Sequence, residues 1–193
     1  MPPNKRTHLM DITTAQSDVR RAFAGGFAGQ LVSALIWAAS AACSTWHSHK
    51  LGIQVLVIAG FFIFPLTQLA LKTMGRPGTL PKGHPMNALA MQVAFILPLS
   101  LPLVAAATLF RHSWFYPAFM LALGTHYLPF IFLYGMWQFG ILAAGLISVA
   151  MLIAHLHVPF ALGAWICAAM LMLMSCTGWI VSQREARSHV LPR

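Results

Sequence analysis

Carboxylates are what this sequence lacks most. Its 193 residues include three acidic ones, Asp11, Asp18 and Glu185, and none lies between Val19 and Arg184. That excludes paired-carboxylate hydrolysis, Mg²⁺-dependent phosphoryl transfer and carboxylate-relay proton pumping from the body of the chain. Charge of either sign is scarce. Only 8% of residues are charged, against roughly 25% in a soluble domain. Too few polar residues remain to cover a water-facing surface. Cysteine is rare too: Cys43, Cys167 and Cys176 show no CxxC or other metal-binding spacing and read as small buried hydrophobes. A bridge from Cys43 to either of the others stays open at this level. GxSxG, HExxH, Walker A and GxGxxG are all missing. A non-enzymatic protein without a cofactor is expected. The first 22 residues are polar and no short apolar core with a cleavage site follows, so the first apolar run is expected to remain as an anchor.

What is present is apolar, at 59% of the chain. A membrane crossing needs about 20 such residues at 1.5 Å each. Six stretches qualify: 23–46, 51–73, 87–110, 114–134, 138–158 and 159–182. The expected fold is an all-α integral membrane six-helix bundle. A basic N-terminal segment (1–22) precedes one transmembrane domain (23–182), and a basic tail (183–193) follows it. Pro2 and Pro3 predict a disordered start. From Asp11 a short helix is expected on the membrane surface, with Asp11 as N-cap and Asp18 one turn from Arg21. Between the last two spans Val158-Pro159 must make the turn, so the fifth is expected to end near His155 and Pro159 to open the sixth.

Basic residues give the orientation. With a cytoplasmic N-terminus, Lys5, Arg6, Arg20, Arg21, Lys72, Arg76, Lys82, Arg184, Arg187 and Arg193 fall inside, and only Lys50 and Arg111 outside. Ten against two places both termini in the cytoplasm by the positive-inside rule. The net charge of +9 then reads as topology plus contact with anionic lipid headgroups, not as nucleic-acid binding. Trp46, Trp114, Tyr116, Tyr134 and Trp137 fit an interfacial belt. Segment 74–86 is rich in Gly and Pro and reads as an irregular inside loop.

The stretch Gly124-Thr125-His126-Tyr127-Leu128-Pro129-Phe130 sets an imidazole, a phenol and a proline near the middle of the fourth span. Other polar residues at membrane depth are Gln30, Gln68 and Gln92, with Thr67, Ser100, Thr108, Thr125 and Ser148 as lesser members. Pro65, Pro98, Pro102 and Pro129 each remove a helical hydrogen bond and invite a kink. Kinked second, third and fourth spans would leave a gap lined by Gln68, Gln92, His126, Tyr127 and Pro129, a candidate small-molecule site of a binding or transport-type protein. The competing reading is that these side chains satisfy one another and join the helices.

His47, His49, His112, His155 and His157 gather at the outer ends. His47-x-His49 and His155-x-His157 offer paired imidazoles, but residues i and i+2 point apart on a helix and no thiol or carboxylate completes a set. No metal site is expected, and solvated imidazoles are. Haem is set aside, since His126 lies about 18 Å below the outer end of its span at 1.5 Å per residue, far from His155 and His157. Met170, Met172 and Met174 are spaced to scatter round a helix and read as filler. Gly25, Gly29 and Ser33, and likewise Gly140, Ala144 and Ser148, form small-residue stripes. These fit packing within the chain, or a helix contact in a homo-oligomer or with another membrane protein. The last use would make the chain a structural or accessory subunit.

The pattern Gly124, His126, Pro129 and Tyr134 resembles an uncharacterised family of small bacterial multi-pass membrane proteins. That resemblance implies a bacterial inner membrane and no particular substrate. On this reading a cysteine at Thr79, in an otherwise cysteine-free chain, is labelled by an impermeant maleimide only after the membrane is opened; labelling of intact spheroplasts reverses the orientation.

Overall fold

The computed structural model describes residues 10–156 and 158–188, with side chains through Arg184. Pro2, Pro3 and His157 lie outside the described residues. Among those described there are eight α-helices, two short 3-10 turns and no strand. The helices are α1 (Ile12–Ala22), α2 (Phe27–Trp46), α3 (His49–Gly60), α4 (Ile63–Thr73), α5 (Asn87–Phe110), α6 (Phe115–Tyr134), α7 (Gln138–His155) and α8 (Leu162–Ser188). Five are long and apolar enough to cross a membrane: α2 with its preceding turn, α5, α6 with its preceding turn, α7 and α8. The pair α3 and α4 counts as a sixth only if taken as one broken span, bent by 57°. The chain is therefore an all-α membrane protein by its helices.

The expected second span breaks for a local reason. Proline at position 65 has no N–H to give the Phe61 carbonyl, and falls in the first turn of α4, where that loss costs least. Before it the chain tightens: Phe61 N–H bonds to Ile58 O at 3.2 Å and Phe62 N–H to Ala59 O at 2.9 Å. Pro98, Pro102 and Pro129 do not break their helices, which run on through them. The first span starts later than expected. Ala24, Gly25 and Gly26 all have positive φ, at 50°, 62° and 83°, which turns the chain from α1 into α2. At the far end α7 stops at His155 as expected, while α8 begins at Leu162, after a turn in which Leu162 N–H bonds to Pro159 O at 3.0 Å.

α2 packs along α8, α3 and α4, and α6 packs along α7 and α5. Trp37 of α2 is buried against Tyr116 and Phe119 of α6, with ring centres 6.0 and 5.4 Å away. α5 is the outlying helix: Leu99, Leu103, Leu109 and Phe110 are largely exposed, and its helix–helix contact is with α6. Lipid is as apolar as these side chains, so burial alone does not hold helices together here; close backbone approach and hydrogen bonds do. At Gly25 an added Cβ would lie 2.9 Å from the Gly178 carbonyl oxygen, and at Gly178 one would lie 3.0 Å from that of Gly25. Across α6 and α7, a Cβ on Gly124 would meet Ile147 at 2.8 Å and Ala143 O at 3.1 Å.

The surface helix α1 is tied down by polar contacts. Gln16 donates to Phe132 O at 2.7 Å and Arg20 to Tyr134 O at 2.6 Å, so both serve carbonyls at the C-terminus of α6. A cation there also suits the negative end of the helix dipole. Asp11 precedes α1 as expected, but its carboxylate takes the Thr13 hydroxyl instead of capping a backbone N–H. That hydrogen bond, foremost, holds its pKa below the ordinary value. Loop 74–86 folds onto the same end. Gly78 N–H bonds to Ala22 O at 3.2 Å, and Arg76 reaches Ser182 at 3.0 Å. His84 is buried there; its Nδ1 accepts the Met86 N–H at 3.2 Å, leaving Nε2 toward Asp18 at 3.5 Å.

Gly178→Leu is expected to cost more than about 2 kcal/mol by forcing α2 from α8. Gly60→Ala, where an added Cβ has nothing within 4 Å, should stay within about 0.5 kcal/mol of the parent. Reversible unfolding in mixed micelles compares the two.

Candidate functional site

α6 carries the polar centre. His126 is half-buried on it, and its ring meets Tyr127 and Phe130 edge-on at 5.6 and 5.0 Å. Across the helix interface it interacts with the backbone of Val93 on α5. Its Nδ1 is fully buried and has no hydrogen-bond partner. Thr125 offers no help, since its hydroxyl bonds back to Ala122 O at 2.9 Å. Tyr127 points the other way, into the core, at 6.0 Å from Phe139. It joins an aromatic row with Phe130 and Tyr134, whose rings stack at 5.5 Å with 6° between planes. Pro129 is half-buried one turn below.

The other expected members are not gathered round His126. Gln68 donates to Gly78 O at 3.1 Å and ties α4 to the 74–86 loop. Gln92 is exposed on α5. α4 packs on α2 and has little contact with α5 or α6. Spans two, three and four therefore do not enclose a shared gap. Gln30 is buried elsewhere, in a cleft with Gly25, Gln138 and Gly178 that is too narrow to admit a water molecule. Ser100 and Thr108 spend their hydroxyls on Ile96 O and Val104 O of their own helix, at 2.8 and 2.7 Å. Thr67 Oγ1 is buried without a partner.

A polar cluster that the sequence did not single out lies where α2, α3 and α6 meet. Tyr116 is fully buried, and its hydroxyl lies 2.7 Å from both Ser40 Oγ and Ser44 Oγ. Ser40 donates in turn to Gly52 O at 2.8 Å. One assignment serves every hydroxyl: Ser44 donates to Tyr116, Tyr116 to Ser40, and Ser40 to the Gly52 carbonyl. Gly52 is required there, since a Cβ would lie 2.8 Å from Ser40 O. The only sequence hint was Ser40 and Ser44 at i and i+4 on one helix face.

The histidines at this end separate into two kinds. His47, His49, His112 and His155 are all exposed, His47 has no described ring contact with His49, and His157 lies outside the described residues. His49, first residue of α3, instead meets His112 from the turn before α6. Phe160 stacks on both. Among the described residues, no group of three or more His, Cys, Asp or Glu side chains is placed to hold a metal ion. The three cysteines are free.

A family model described as a family of unknown function, DUF7010, matches residues 12–183. The chain belongs to DUF7010. No curated protein and no solved structure matches it. The match to DUF7010 opens on the first residue of α1, so it takes in the surface helix together with all the apolar helices.

Tyr116→Phe is expected to lower stability by about 1–2 kcal/mol, since it removes a donor and an acceptor from the middle of a chain of hydroxyls. Unfolding by SDS titration measures it; Ser44→Ala, at the open end of that chain, should cost less.

Proposed function

We propose that this DUF7010 chain is a non-enzymatic multi-pass protein of the bacterial inner membrane that binds a small, mainly apolar molecule beside His126. The observation that carries this is the buried, unpartnered Nδ1 of His126 on a half-buried ring. An unsatisfied buried polar atom costs about 1–3 kcal/mol, and one polar group on a ligand supplies the missing bond. The surroundings suit such a ligand: Phe130 on α6, and the outlying α5 with its exposed apolar face. Entry would be sideways from the lipid, between α5 and α6. In this reading α3–α4 is one broken crossing, both termini are cytoplasmic, and α1 and the 74–86 loop lie against anionic headgroups.

One observation favours a second reading, an accessory subunit or a homo-oligomer. Ala144 and Ser148 are exposed on α7, so that small-residue stripe is not consumed by the chain's own packing. Gly29, by contrast, has Thr67 of α4 at 3.8 Å from a Cβ built on it.

Solvent extraction and mass spectrometry of the purified protein separate the two. The binding reading expects a molecule near one per chain in the parent, reduced at least tenfold in His126→Phe with the fold intact. It is overturned if both proteins carry the same complement, or if nothing co-purifies and His126→Phe is the more stable. The second reading expects Ala144→Leu to abolish association while His126→Phe leaves it unchanged.

A further inference from the structure

His49 and His112 are 63 positions apart and belong to different turns, yet their ring centres are 6.1 Å apart with 25° between planes. Phe160, from the turn before α8, lies 4.2 Å from His49 and 5.1 Å from His112, at 22° and 9°. Rings stacked on opposite faces of Phe160 would be about 7 Å apart, two layers at about 3.5 Å each. The observed 6.1 Å is shorter, so both imidazoles lie on one side of Phe160, next to each other and nearly parallel. Their facing edges are then too far apart for a direct nitrogen–nitrogen hydrogen bond, which needs about 3 Å. They are at the spacing that one bridging ion sets. Two metal–nitrogen bonds of about 2.0 Å, plus about 1.1 Å from each nitrogen to its ring centre, put the centres of linearly disposed imidazoles about 6 Å apart.

We propose that His49 and His112 form a two-coordinate site for a soft monovalent cation, Cu⁺, at the end of the bundle where α2 turns into α3 and α5 into α6. Three features choose this ion. No third His, Cys, Asp or Glu completes a set among the described residues, which suits an ion content with two ligands and not Zn²⁺, which prefers four. Both ligands are neutral when they bind, and no carboxylate lies between Val19 and Arg184 to offset a second positive charge. Lys50 and Arg111, each next to a ligand in the sequence, further disfavour a divalent ion. Phe160 holds both ring planes, as an outer-shell residue does in metal sites. The site is remote from His126 and independent of the function proposed for it.

The test uses tag-free full-length protein in detergent, with Cu⁺ delivered anaerobically against a chromogenic Cu⁺ chelator. One Cu⁺ per chain is expected. His49→Gln and His112→Gln should each weaken binding at least tenfold, while His47→Gln and His155→Gln leave it unchanged. X-ray absorption of the copper-loaded parent needs no variant and should show two nitrogen neighbours and no sulfur. The proposal is overturned if the parent fails to compete for Cu⁺, if sulfur ligation appears, if either Gln variant binds like the parent, or if Zn²⁺ binds this pair more tightly than Cu⁺.

Discussion

A polar group inside lipid has only the protein to bond to, and an apolar group gains nothing by leaving lipid for protein. Both halves of that constraint are visible in how α2 is used. Small residues at its start and on its partner helices let backbones come close: Gly25, in the turn before α2, lies against Gly178 of α8, and Gly52 of α3 lies against the Ser40 carbonyl of α2. Its two buried serines, Ser40 and Ser44, hold Tyr116 of α6. Packing density and hydrogen bonds thus converge on one helix, and the helices that lack both lie outside it. α5 has no close glycine contact, the hydroxyls of Ser100 and Thr108 stay within it, and it touches the bundle through α6.

The two ends solve the same constraint differently. At the α1 end, water is near and long polar side chains are used. Gln16 and Arg20 serve carbonyls that α6 leaves open where Gly135 turns left-handed at φ 63°. Asp18 meets His84 across the loop. At the other end the ties are short hydroxyls and stacked rings. A helix start there is capped by Ser48, which accepts the Leu51 N–H at 3.2 Å. The difference follows from the charge distribution: two of the three acidic residues precede Val19, so ion pairing is available at the first end and not at the second.

Composition made the place of five apolar helices legible, because a run of about 20 apolar residues needs no tertiary information to be recognised. Asn87–Phe110 is recovered to the residue, and α7 ends at His155 as Val158-Pro159 requires. The break at Gly60–Ile63 was half legible: Pro65 marked a lost hydrogen bond, but the same signal stood at Pro98, Pro102 and Pro129, where the helices continue. A proline says which bond is missing and not how far the chain bends. The candidate site was legible only as single residues. His126 lies on α6 with a buried nitrogen, but Gln68 is engaged by Gly78 and Gln92 is exposed. Which polar residues meet depends on helix rotation and neighbour order, and α5 to α8 are nearly uniformly apolar round their circumference, so no face was marked in advance. The Tyr116 cluster and the His49–His112–Phe160 stack were illegible for the same reason: each brings together residues far apart in sequence, Ser40 with Tyr116 and His49 with His112.

Removing carboxylates from the body of a membrane protein narrows its chemistry to neutral donors and acceptors. Imidazole is the one side chain left that can bind a proton or a metal near neutral pH without being charged beforehand. In lipid this matters, since a charged group at the bilayer centre costs about 2.5–3.5 kcal/mol even on the mildest scales. The histidines of this chain are accordingly divided by depth. His84 sits where Asp18 can answer a positive charge. His126 sits beside aromatic rings with a buried nitrogen unanswered. On the function proposed above, a neutral imidazole there would take a partner that brings a hydrogen bond and no charge. His49 and His112 are exposed at the end of the bundle, where the site proposed for them would keep a single positive charge near water while two nitrogens bind it.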